Sequence, residues 1–166
     1  KLTSDTSGII QLQSGGTTKA TVNSSGLTSP GHILQVVQDT VTASVETTSG
    51  SYVETGLSQS ITVSAGNKVL VLGVLNAVGP SGSTLTGIKT AIFRGTTEIC
   101  APSLYAGYNT ASTNHTQPIP LDFLDTSPAT GANTYTVKFL RTTGSASARV
   151  QVDTAISRLI LCEVAA

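Results

Sequence analysis

Lys68-Val69-Leu70-Val71-Leu72-Gly73-Val74-Leu75 is the stretch on which the fold class turns. After its lysine it is continuously apolar, and a run of this kind fits a strand covered on both faces, by a second sheet or by a neighbouring subunit. Just before it, Gln59 to Ser64 alternates, with Ile61 and Val63 directed inward and Thr62 and Ser64 outward. That period of two is the signature of a half-buried strand. The intervening Ala65-Gly66-Asn67 is turn chemistry.

The same grammar extends in both directions. Upstream, Ile33 to Val45 reads as one strand, and Tyr52 to Thr55 as a short edge. Downstream, Thr86 to Cys100 is broken by a turn or bulge at Arg94-Gly95. Ile119 to Leu124 carries Pro118 and Pro120 at its start, which belong on a sheet edge. Thr134 to Leu140 puts Tyr135, Val137 and Phe139 on one face, and Ala148 to Val152 and Leu159 to Val164 close the set. Val, Ile and Thr dominate these runs, as a pleated surface favours. No segment of a dozen residues keeps the apolar spacing of a helix. Eight to ten strands are expected, with a loop-rich stretch from Ala101 to Pro118. The predicted core is Val37, Val41, Ile61, Val63, Val69, Val71, Ile92, Val137, Phe139, Val150, Leu159 and Leu161.

The amino-terminal piece differs. Ser7 to Leu12 and Lys19 to Val22 read as two short strands about Gly15-Gly16, and they bury little by themselves. Ser29-Pro30-Gly31 marks a boundary, so residues 1–30 are read as a neck or anchoring segment and 31–166 as the main domain. The 166 residues suit one domain. The chain lacks methionine, so it is read as a fragment or a processed product.

Charge narrows the function. Only 11% of residues are charged, against about 25% in an average soluble protein, and nine basic residues cancel nine acidic ones. There is no basic footprint for nucleic acid or an anionic membrane, and no run of the length of a membrane helix. A weakly charged, neutral surface tends to associate, which points to a permanent oligomer with part of that surface covered.

No constellation for catalysis stands out, and the chain is read as no enzyme. His32 and His115 occupy polar, turn-like settings, and zinc needs three or four ligands. Asp122 and Asp125 flank Phe123-Leu124 and read as solvated turn residues, since calcium takes six to eight oxygens. A glycosidase needs paired carboxylates, commonly beside aromatic platforms, and the chain has no tryptophan. No cofactor or metal is expected. Asn23-Ser24-Ser25 and Asn114-His115-Thr116 fit the glycosylation tripeptide by composition. Cys100 and Cys162 read as unpaired buried thiols, with a single disulfide as the alternative.

The stretch suited to recognition is Leu104 to Thr116, L-Y-A-G-Y-N-T-A-S-T-N-H-T. Tyrosine beside Ser, Gly and Asn combines rigid amphipathic area with adaptable hydrogen bonding. Its candidate binding residues are Tyr105, Tyr108, Asn109, Asn114 and His115; an ordinary crossover loop with inward tyrosines is the alternative. Ala77 to Thr84 is a second candidate loop.

Two stretches resemble bacteriophage tail-fibre and related virion appendage proteins. Asp5 to Gly26 (D-T-S-G-I-I-Q-L-Q-S-G-G-T-T-K-A-T-V-N-S-S-G) is similar to neck segments that precede a globular head. The succession Leu57 to Val63, Lys68 to Val71, Phe93-Arg94-Gly95, Tyr135-Thr136-Val137 and Leu159 to Val164 is similar to β-sandwich heads of phage structural proteins. The resemblance implies an all-β chain: a jelly-roll-like antiparallel β-sandwich preceded by a short β-hairpin neck. It also implies a homotrimer on the virion surface that contacts other virion proteins and a host-surface glycan or protein. A capsid decoration or head-fibre protein, and a secreted carbohydrate-binding module, are the alternatives.

Overall fold

Thirteen strands form among the described residues of the computed structural model, which are 8–24, 26–82, 86–106 and 115–166. The central one is β7, Lys68–Pro80, which contains the apolar run and continues five residues past it. It pairs antiparallel with β13, Ser157–Val164, on one side and with β10, Gln117–Asp125, on the other. β13 in turn pairs with β4, Ile33–Val41. The second sheet is β6-β11-β8-β9, made of Val53–Val63, Gly131–Gly144, Thr86–Arg94 and Thr97–Ala106. The β7 sheet has six strands, its four long ones in the order β4-β13-β7-β10 with two short strands added along the far end of β7, and the second sheet has four, β6-β11-β8-β9; both interleave early and late strands. Eight antiparallel strands wound this way form a jelly roll.

The core lies between the sheets. Val69, Val71 and Leu75 of β7 meet Leu57 and Ile61 of β6, Ile88 and Ile92 of β8, and Val137 and Phe139 of β11, all within 2% exposure. Every predicted core residue belongs to this cluster, with Val37 and Val41 only partly buried at its margin. Gly73 lets β7 and β13 lie against each other: a Cβ there would collide with the Arg158 carbonyl, and its φ of +152° disfavours a side chain.

Several boundaries differ from the sequence reading. Ile33 to Val45 divides into β4 and a short β5, Val45–Thr47, which pairs with β12, Ala148–Val150. Tyr52–Thr55 and Gln59–Ser64 merge into the single strand β6, because Thr55, Gly56 and Leu57 bulge opposite Val137 without ending it. β9 runs on to Ala106, so Leu104 and Tyr105 sit on a strand rather than in a loop. The neck carries three strands rather than a hairpin: β1 Ile10–Ser14, β2 Thr17–Asn23 and β3 Gly26–Thr28.

Strand direction polarises the molecule. Gly31 and His32 pair with Ala165, so the end of the neck and the carboxyl terminus meet at one end of the sandwich. At that end also lie the turns that follow Val63, Arg94 and Asp125. The opposite, distal end holds the strand ends Val41, Pro80, Ala106 and Gly144.

Candidate functional site: a distal tip and a bare sheet face

The described ends of both stretches singled out for recognition reach the distal end. Gly79 lacks a side chain where the His115 carbonyl passes, and a Cβ would collide with it. Gly87 does the same beneath Thr142, with the Tyr105 ring 3.4 Å from where its Cβ would be. Ser81 N–H donates to the Ser147 carbonyl at 2.9 Å, and Arg149 Nη2 donates to the Pro80 carbonyl at 2.7 Å. Glycine approach and backbone bonding therefore bring four chain segments to one tip. Tyr105 is 62% exposed there and His115 is also exposed. Tyr108, Asn109 and Asn114 lie outside the described residues.

The acidic pair separates into two roles. Asp122 is exposed on β10, whereas Asp125 is buried, which corrects its reading as a solvated turn residue. Its carboxylate accepts from Arg94 Nη1 at 2.6 Å and from Tyr135 Oη at 2.7 Å. Asp125 Oδ1 also accepts from Ser127 N–H at 3.1 Å. A buried carboxylate with three donors is a structural clamp. Cys100 and Cys162 are free, and burial pushes both thiols up, Cys100 further through the charges of Asp122 and Glu98. Among the described residues no three His, Cys, Asp or Glu side chains gather as a metal set.

The outer faces of the two sheets contrast. The β6-β11-β8-β9 face is polar and self-satisfied. Ser58 pairs with Thr136 and Ser60 with Thr134 through their hydroxyls at 3.3 and 2.7 Å. Tyr52 and Phe93 meet edge to face at 5.0 Å, Lys89 lies over the first ring and Lys138 over the second. Lys89 holds the Glu98 carboxyl below the usual range, against burial, with help from the Tyr52 hydroxyl.

The β4-β13-β7-β10 face is apolar. Its cross-strand rows run Val36-Cys162-Leu70-Leu124, Gln38-Ile160-Leu72-Asp122 and Thr40-Arg158-Val74-Pro120. Val36 is 58% exposed, Leu124 43% and Leu72 38%. The run on β7 is fully buried on its inner side; on its outer side Leu72 is exposed and Leu70 and Val74 are half-buried within one chain. Sequence reading reached this face only through β7. Val36, Ile160 and Leu124 stand on strands with an apolar residue on either face, so their outward direction is visible only once register is known.

No protein-family model matches the chain, and no curated protein matches it. Solved structures do. A chain from the structure of infectious bursal disease virus, Gx strain, superposes with a TM-score of 0.53 at 13% identity, over 92% of this chain and 36% of that one. The likeness is one of fold. A chain from the Gt strain of the same virus gives a TM-score of 0.45 at 11% identity, over 95% of this chain and 44% of that one. This chain thus spans less than half the length of either viral chain.

Proposed function

We propose that this chain is a structural protein of a virus particle, without catalytic activity, that assembles as a homotrimer and presents its distal loops to the surroundings. The observation that carries the reading is the polarity of the jelly roll. Neck and carboxyl terminus share one end, and the Tyr105 and His115 segments share the other. An element anchored at one end and exposed at the other suits a tail fibre or virion appendage, as the resemblance of Asp5 to Gly26 and of the sandwich strands implies. The fold shared with a virus structure supports a viral origin. The tip, with its exposed tyrosine and small polar residues, suits a host-surface glycan or protein.

A capsid decoration or head-fibre protein is the second reading, favoured by the same virus match. In it the neck seats on the shell and the sandwich faces solvent.

Light scattering on the native protein tests the reading. A particle of three 16.9 kDa chains is expected, and the trimer should bind host cells less well after Tyr105→Ala. A mass of one chain overturns the assembly, and unchanged cell binding removes the tip from recognition.

A further inference from the structure

We propose that the outer face of the β4-β13-β7-β10 sheet is the contact between copies of this chain, packed in a closed ring with the β4–β13 half of each face against the β7–β10 half of the next. This rests on the reading of the protein as a self-assembling virion subunit, and names the surface that does the assembling.

The charges on the face argue for a second copy rather than an unlike partner. Among the described residues, the three rows carry one cation, Arg158, on the β13 side, and one anion, Asp122, on the β10 side; Lys68 of β7, paired with Val164 in the next row toward the neck, is a second cation on this face. Arg158 and Asp122 are both exposed, and neither belongs to the ion pairs among the described residues. They stand two strands and one row apart, roughly 12 Å at ordinary strand spacings, too far to pair within a chain. Arg158 on one half and Asp122 on the other are complementary between copies. Head-to-tail packing that closes into a ring brings each half against the other half of the next copy, and so sets Arg158 of one copy against Asp122 of its neighbour.

Area points the same way. Four strands about 4.8 Å apart, and about 20 Å of each, give a flat patch of roughly 400 Å². A stable interface buries about 800 Å² per partner, so the sheet face supplies half. The neck supplies a second bare apolar face. Ile10 pairs with Val22 and Val22 with Leu27, while Leu12 pairs with Ala20, so these side chains share one side of the three-stranded sheet. Leu12 and Leu27 are 45% and 50% exposed.

Charge reversal tests the contact without touching the core. Arg158→Asp alone and Asp122→Arg alone should each raise the concentration at which the assembly dissociates about tenfold. The double variant should return it to the wild-type value. Far-UV circular dichroism and thermal melting of the same samples show that all remain folded, and Val36→Asp gives an independent disruption. Single variants that assemble like wild type, or a double variant that fails to recover, overturn the proposed face and leave the assembly reading intact. A monomeric wild-type protein overturns both. Flotation of that monomer with neutral phosphatidylcholine vesicles would assign the face to lipid instead.

Discussion

Tyr135 Oη donates to Asp125 Oδ2 at 2.7 Å from a fully buried position on β11, bridging to the last residue of β10 in the opposite sheet. Arg94 closes the other side of that carboxylate at 2.6 Å from the end of β8. Burial, with the bond to Asp125 behind it, pushes the Tyr135 phenol well above its usual value, so it stays a donor at any working pH. The bond locks the sheets together at the end where the neck joins. Tyr135→Phe removes the donor and leaves the ring. It should cost about 2 kcal/mol, the range of a hydrogen bond to a charged group, read as a lower urea midpoint with an unchanged slope.

Glu163 carries the acid sensitivity of the same end. Burial alone would raise its carboxyl, but Ser64 N–H and Asn67 Nδ2, each at 2.8 Å, outweigh it and hold the group below the usual carboxylate range. The unfolded group titrates near about 4.3. Its stabilisation is therefore complete above that pH and is lost as pH falls through the lower folded value. Glu163→Gln should lower stability at pH 7 by about 1 kcal/mol. It should also flatten the fall in melting temperature below about pH 4.3, where the wild type loses this contribution. Equal slopes for the two proteins in acid would assign the acid sensitivity elsewhere.

How much of this was legible beforehand follows from period and register. Alternation at Ile61 and Val63, the β7 run and the face of Tyr135, Val137 and Phe139 identify inward residues without any structure, because a strand repeats every two residues. Strand pairing does not repeat locally, so the order β4-β13-β7-β10 has no local trace, and neither does the bare outer face built from it. Asp125 shows the same limit. Next to Thr126 and Ser127 it reads as a turn residue, and its partners Arg94 and Tyr135 reach it from other strands. At the tip, composition pointed to Tyr105 and His115, while Gly79, which admits the His115 segment, reads only as a turn or flexible-loop residue, and Gly87, which admits Thr142, reads as part of the strand run Thr86 to Cys100.

Gly73 tests the close approach of β7 and β13. A methyl group there meets the Arg158 carbonyl, with backbone on both sides and no flexible side chain to yield. Gly73→Ala should cost about 3 kcal/mol, from overpacking joined to an unfavourable φ. Gly82→Ala, at a position with nothing within 4 Å, should fall within about 0.5 kcal/mol of wild type. Equal urea midpoints for the two variants would remove the close approach from the account of β7.

The two faces of one sheet make the last contrast. Val71 of β7 points inward at 0% exposure and Val36 of β4 points outward at 58%. Val71→Asp places an unpaired charge in the core, which costs several kcal/mol, against a total stability of about 5–15 kcal/mol for a domain. It should yield insoluble or unfolded protein. Val36→Asp adds the same charge where a single chain leaves it in water, and should melt within a few degrees of wild type. Its effect should appear in mass alone: folded chains that no longer associate. A soluble, folded Val71→Asp protein would show that the β7 run is not the centre of the core, and an unfolded Val36→Asp protein would show that the outer face is already closed within the chain.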